Sequence, residues 1–220
     1  MKMLIAFSQI ILITILTSCS TPEQTGPRTE GVYMIVDTSG TYTQELGKAQ
    51  KIINVILSKL DPGDAFAVAR IDTGSFSEKD IIAKVRFDDR PSTTNQQKRR
   101  FRNAIDNFVK SARPAAYTDV TGGLLQGIEF LNEQSVDGKT IIIFSDLEED
   151  LPKGYVRDIP FVLDGFKVVA VNVSKLAKDN KDPRKYMTRL ENWQQRIESG
   201  EGSWRVINDL DRLDTLLHSS

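Results

Sequence analysis

Gly31-Val32-Tyr33-Met34-Ile35-Val36-Asp37-Thr38-Ser39-Gly40-Thr41 is the stretch on which the reading of this chain turns. Its first six residues are apolar at nearly every position, which marks a strand covered on both faces rather than one with a wet side. The apolar run then stops on a carboxylate, followed by hydroxyls and a glycine, as expected of a loop leading into a helix. Thr140–Phe144 and Phe166–Val171 repeat the apolar run, and Ala65–Ile71 adds a strand of small and β-branched residues. Leu46, Ala49, Ile53, Ile56, Leu57 and Leu60 fall at helical spacing, as do Phe101, Ala104, Ile105, Phe108 and Val109, so each set forms one buried stripe of a helix. Asp61-Pro62-Gly63-Asp64 separates the first helix from the strand after it. Further helices are expected over Thr121–Asn132, Pro183–Ile197 and Asp209–Leu217, with a last strand over Ser203–Ile207.

Strand and helix therefore alternate, which predicts an α/β fold with a doubly wound, mostly parallel central sheet flanked by helices. Ala83–Asp88 alternates instead, with Val85 and Phe87 on one face and Lys84, Arg86 and Asp88 on the other, the pattern of an antiparallel edge strand with one wet face. In such a sheet the ligand site lies at the carboxyl ends of the central strands. Function is therefore to be sought just after Val36 and just after Phe144.

Both places carry oxygen chemistry. Asp37, Ser39 and Thr41 occupy alternate positions in the first loop, so a carboxylate and two hydroxyls can face one point. Ser145-Asp146 puts a second carboxylate at the matching edge, because adjacent parallel strands end side by side. Between them in sequence, Thr118 supplies a loop hydroxyl just before Gly122 and Gly123, where a helix can start close by. The set offers oxygen and neither nitrogen nor sulfur, and hard oxygen ligands favour Mg²⁺, with Mn²⁺ close behind, over zinc or copper.

These residues, in this order and on these strands, resemble the von Willebrand factor A domain. Its metal-ion-dependent adhesion site uses Asp-x-Ser-x-Ser, a distant Thr and a later Asp. The resemblance runs over about 31–217 and implies that Asp37, Ser39, Thr41, Thr118 and Asp146 hold Mg²⁺ or Mn²⁺. It also implies a protein partner whose Asp or Glu completes the cation's shell, and a binding module rather than an enzyme. Thr41 stands in place of the second Ser, keeping the hydroxyl, and Leu147 follows Asp146 where Gly is usual. Glu148, Glu149 and Asp150 come next; one of them could fill the cation's open position, repel an acidic partner or build another cation site, and the sequence leaves these open. Turn and capping chemistry is the bland account of each residue taken singly.

A rival resemblance is to the haloacid dehalogenase type of Mg²⁺-dependent phosphohydrolase, whose signature is Asp-x-Asp-Gly-Thr after one strand and Asp-x-x-x-Asp after another. There Asp37 would be the nucleophile. Ser39, however, stands where that chemistry needs a proton-shuttling carboxylate. A metal-free scaffold of the same fold is the third reading. The single histidine, His218, argues against a Ser-His-Asp triad or a His-based zinc site.

Upstream, Met1-Lys2-Met3 leads into a nearly uncharged run from Leu4 to Leu16 and then small residues before Cys19. The order is that of a secretory signal, and the run is too short for a permanent span. Leu16-Thr17-Ser18-Cys19 resembles the lipobox of bacterial lipoproteins, which implies removal of residues 1–18 and acylation of Cys19, the only cysteine. Ser20, where Asp would favour inner-membrane retention, implies the periplasmic face of the outer membrane. Residues 19–30 then form the lipidated Cys and a Pro- and Gly-containing tether, and 31–220 one domain. With 29 Lys and Arg against 30 Asp and Glu, the net charge of −1 argues against general nucleic-acid binding. The basic run Lys98-Arg99-Arg100-Phe101-Arg102 keeps Phe101 in phase with the core and covers an exposed face. Trp193 and Trp204 are expected in the core.

Overall fold

A computed structural model of the chain describes residues 28–40, 42–71, 77–176 and 179–209. Glu30–Asp37 forms β1, followed by α1 (Tyr42–Lys59), β2 (Ala65–Ile71), β3 (Ile81–Arg86), α2 (Pro91–Ser111), α3 (Val120–Glu133), β4 (Gly138–Phe144), β5 (Phe166–Val171), α4 (Pro183–Ser199) and β6 (Ser203–Ile207). The strands make one six-stranded sheet in the order β3-β2-β1-β4-β5-β6. Every pairing is parallel except β2 with β3, which is antiparallel and puts β3 at the edge, as its alternating pattern predicts.

The continuous apolar strands are buried because helices cover both faces. On one face Val32, Met34 and Val36 of β1 pack with α1 and α2; on the other Tyr33 and Ile35 pack with α3, α4 and the β4–β5 connection. Alternate residues of one strand thus serve two cores, the period-2 geometry of a strand. Close packing of α3 on β1 depends on two glycines four residues apart. A Cβ on Gly123 would stand 3.1 Å from Ile35, and one on Gly127 only 2.7 Å from the Tyr33 ring.

The β4–β5 crossover departs from strict alternation. Residues 145–165 contain no helix, and Asp146 caps none, so the alternative of Asp146 as a helix cap is removed. Pro152, Gly154, Pro160 and Gly165 explain this, since proline removes a donor and clashes with the preceding turn, while glycine disfavours helix. Trp193 is buried and Trp204 packs partly buried against the same core. No helix among the described residues is long and apolar enough to cross a membrane. Cys19, Thr41, His218 and nearly all of the helix expected over Asp209–Leu217 lie outside the described residues.

Candidate functional site at the carboxyl edge of β1 and β4

β1 and β4 are central, parallel neighbours in register, with Val36 opposite Phe144. Their ends therefore deliver Asp37 and Ser145-Asp146 to one place. The Ser145 hydroxyl donates to Asp37 Oδ2 at 2.7 Å, and the Ser39 N–H donates to Asp37 Oδ1 at 2.7 Å. Asp37 is fully buried and Asp146 7% exposed. Burial, with the Asp37 charge adding to it, pushes the Asp146 carboxyl up to about 6, although the Glu148 N–H, donating to Asp146 Oδ1 at 2.9 Å, and Arg189 act the other way. The same surroundings, burial above all, push the Tyr42 hydroxyl up to about 12; it donates to the Asn172 carbonyl at 2.7 Å at the end of β5.

Two loops bring the hydroxyls to this edge. The Ala115 N–H donates to the Thr38 carbonyl at 2.9 Å, with Ser39 bridged to Ala115, which ties the loop after α2 to the loop after β1. Thr118 and Asp150 exchange backbone hydrogen bonds at 2.8 and 3.0 Å, which ties the start of α3 to the segment after β4. The hydroxyls differ in availability. That of Thr38 is taken by the Ile71 carbonyl at 3.2 Å and that of Ser145 by Asp37, whereas those of Ser39 and Thr118 make no hydrogen bond among the described residues. Four of the five expected site residues, Asp37, Ser39, Thr118 and Asp146, are thus assembled on one edge; Thr41 is outside the described residues.

No family model matches the sequence, and no curated protein does either. Solved structures do match. A von Willebrand factor type A protein from Catenulispora acidiphila is 19% identical, with a TM-score of 0.52, over 86% of this chain and 40% of that one. The chain has a von Willebrand factor A-like fold. The pilus adhesin SpaC from Lactobacillus rhamnosus GG in its open conformation gives a TM-score of 0.54 at 14% identity, over 88% of this chain and 29% of that one. The minor pilin PilB from Streptococcus sanguinis gives 0.52 at 12% identity, over 89% and 60%. The chain therefore spans between 29% and 60% of the length of these proteins.

In this A-like fold, the donor set fits a hard divalent cation. Two carboxylates face one edge, two hydroxyls there have no partner among the described residues, and Arg189 bonds the Asp146 carbonyl rather than a carboxylate of the pair. Among the described residues no group of three or more His, Cys, Asp or Glu side chains is placed to hold a metal, so such a cation would rest on two acids and neutral oxygens.

The departure from Gly after Asp146 has a structural counterpart. Leu147 takes a left-handed backbone, φ 65°, which glycine adopts freely and which costs a side-chain-bearing residue on the order of 1–2 kcal/mol. Leu147 is 1% exposed in the core beneath α4, and its carbonyl accepts the Trp193 Nε1–H at 3.0 Å. Burial holds the strain in place. Leu147→Ala keeps the backbone cost and loses the burial, so it should destabilise by about 2–4 kcal/mol, whereas Leu147→Gly sheds the strain and should be the less harmful of the two. Chemical denaturation of both variants reads the order, which reverses the usual ranking of Ala above Gly.

Sequence reasoning missed the residues that hold this loop. Arg189, Trp193 and Arg196 lie at helical spacing on one face of α4. Arg189 Nε donates to the Asp146 carbonyl at 2.9 Å, while its other nitrogens reach Glu148 at 3.2 Å and the buried Asp179 at 2.8 Å. Arg196 donates to Glu149 at 3.3 Å and to the Thr121 hydroxyl at 2.8 Å, and Glu149 accepts the Thr121 N–H at 2.7 Å. Of the three acids after Leu147, Glu148 and Glu149 are therefore turned to arginines, and Asp150 serves through its backbone. Asp119, not Thr118, caps α3, accepting the Gly122 N–H at 2.7 Å and pairing with Arg157 at 2.8 Å. An Asp three residues before that Gly is a legible cap signal; the arginines had none.

Proposed function

We propose that the chain is a lipid-anchored binding module of the bacterial envelope that recognises a partner protein through a divalent cation, Mg²⁺ or Mn²⁺. Asp37, Ser39, Thr41, Thr118 and Asp146 would hold the ion. When bound, it supplies a positive centre that a partner's Asp or Glu can approach. The observation that carries this reading is the pair of buried carboxylates, Asp37 and Asp146, beside two hydroxyls that no described residue uses.

The chain's own groups prepare the site. The Ser39 N–H and the Ser145 hydroxyl orient both oxygens of Asp37, each of which retains a further lone pair. Arg189 fixes the backbone on which Asp146 stands. Keeping most donors neutral leaves net positive charge on a bound ion, which is what attracts an external carboxylate. That SpaC is a pilus adhesin and PilB a minor pilin agrees with a protein-interaction role. Acylation of Cys19 would keep the module at the membrane, with Ser20 favouring the outer membrane's periplasmic face. A phosphohydrolase is disfavoured by Ser39, a hydroxyl standing where that chemistry needs a proton-shuttling carboxylate.

Calorimetric titration of Mg²⁺ and Mn²⁺ into the chelator-treated protein tests the reading. Saturable binding is expected, weakened about a hundredfold or abolished in Asp37→Ala/Asp146→Ala, consistent with loss of both charged ligands. Absence of saturable binding in the folded wild type would refute the cation and leave a metal-free scaffold.

A further inference from the structure

α1 and α2 lie side by side over one face of the sheet, joined by Gln50 Nε2 donating to Asp106 at 2.6 Å. α2 carries Lys98, Arg99, Arg100, Arg102 and Lys110 against Asp106 alone, a net charge of +4. α1 carries Lys48, Lys51 and Lys59 against Glu45, a net +2. The layer therefore carries a net charge of +6 in a chain whose total is −1, and the rest of the molecule is correspondingly acidic. The α3–α4 layer on the other face shows no such bias: Arg184, Lys185, Arg189 and Arg196 are balanced by Glu129, Glu133, Glu191 and Glu198.

The charges of α2 are available. Arg99, Arg100, Arg102 and Lys110 are exposed and have no carboxylate partner among the described residues, unlike the arginines of α4. Lys98 is the exception, donating to the Leu60 carbonyl. Around them the outer face of α2 is neutral and polar, with Asn95, Gln96, Asn103 and Asn107 exposed. Such a face makes contact through charge and hydrogen bonds and does not insert.

Its position matters as much as its charge. β1 begins at Glu30 beside Gly138, and the Arg86 end of β3 pairs with Ala65 at this same amino edge. α2 starts from here, at Pro91, and extends about 31 Å at 1.5 Å per residue. The ten residue-to-residue steps from Cys19 to Thr29 reach at most about 35 Å even if fully extended. A lipid at Cys19 therefore keeps the cationic face within reach of the bilayer surface without holding it off.

We propose that the α1–α2 layer is a membrane-docking face that lies on the headgroups of anionic phospholipids. This rests on the lipid-anchor part of the function proposed above, and not on its cation. Each cation near an anionic leaflet adds attraction, and salt weakens it. With the helices flat on the membrane the strands run along it, so the Asp37–Asp146 edge opens sideways, parallel to the bilayer, toward partners held in the same membrane.

The test uses acylated full-length protein in vesicles of phosphatidylcholine with about one-third phosphatidylglycerol, and in pure phosphatidylcholine. With Cys19 acylated, Asn103→Cys on α2 and, separately, Glu191→Cys on α4 give single sites for a fluorescent label, read by a headgroup-attached quencher. The α2 label should be quenched several-fold more than the α4 label, only in anionic vesicles. The difference should vanish at about 0.5 M salt or in Arg99→Gln/Arg102→Gln/Lys110→Gln, while that variant stays vesicle-bound. Equal quenching of the two labels, or a difference unchanged by charge, overturns the proposal. Displacement of the α2 label by soluble polyglutamate at equal charge overturns it in favour of an acidic protein. Cys19→Ser tests the anchor separately: retention on neutral vesicles as in wild type would refute acylation there, and the α2 label would still report on the face.

Discussion

Replacing Arg189 by methionine is expected to cost about 3–5 kcal/mol of stability, the typical penalty for breaking a buried ion pair from one side. Arg189 is 8% exposed and Asp179, its partner at 2.8 Å, 1% exposed. Methionine fills much of the space but leaves the Asp179 carboxylate buried beside an apolar chain. It also removes the donor to the Asp146 carbonyl and the contact with Glu148. A second change, Asp179→Leu, should recover most of the loss in the double variant, because two apolar groups do not strand a charge. Urea denaturation of the three proteins, with chelator present, reads the cycle. Recovered stability without recovered cation binding would separate Arg189 as a positioning residue from Arg189 as a packing residue. Failure of the double variant to recover any stability would contradict the buried-pair account.

The second large effect is a gain. Asp146→Asn should stabilise the cation-free protein at neutral pH, by up to about 3 kcal/mol at 1.36 kcal/mol per pH unit. The sign follows from the direction of the shift: the carboxyl is raised from its ordinary value of 3.8 to about 6 by burial and by Asp37. An acid raised on folding contributes stability that is full below pH 3.8, where folded and unfolded chains are both protonated. That stability is lost as pH rises toward 6 and absent above it. Other carboxyls, such as Asp88 and Asp137, are lowered by hydrogen bonds and act in the opposite sense, so the difference between wild type and variant isolates Asp146. Asparagine keeps an oxygen for the Glu148 N–H. Thermal melts from pH 4 to 7 with chelator should therefore show the variant's advantage growing with pH. With Mg²⁺ added the order should invert, since only the wild type gains from ligand binding. A variant less stable than wild type at pH 7 in chelator would mean that the Asp146 charge is already compensated in the cation-free protein.

Both effects concern one short loop, and it is here that sequence and structure divide. Asp37 and Asp146 were legible because each follows an uninterrupted apolar run, and a parallel sheet leaves little choice about where such runs end. The clamp on that loop was not legible. Arg189 stands 43 residues from Asp146 in a helix with two exposed cations, and nothing in its local pattern separates it from Arg184, which is exposed and, among the described residues, bonded to Asp182 two residues away. The side chain is distinguished by what α4 faces after β5 and β6 have placed it, a long-range fact with no local signature. The basic run of α2 was visible as a string of charges, but its lack of carboxylate partners among the described residues and its location on the tether edge depend on how α2 follows β3.

Leu147 shows the same division from the other side. A leucine after the site's second carboxylate reads as a departure from a glycine position. The chain keeps the left-handed turn and places the leucine in the core, because contact beneath α4 and the Trp193 bond to its carbonyl offset the backbone strain. The sequence by itself determined the order of strands and helices, the wet edge strand and the two acidic strand ends, since period and apolar continuity are local properties that fix which face of each element is buried. Only the tertiary structure decided that Glu148 and Glu149 turn to α4, and that Arg189 and Asp179 share a buried pair. Those outcomes depend on distances between residues far apart in the chain, where burial and charge pairing, rather than local propensity, set the energy.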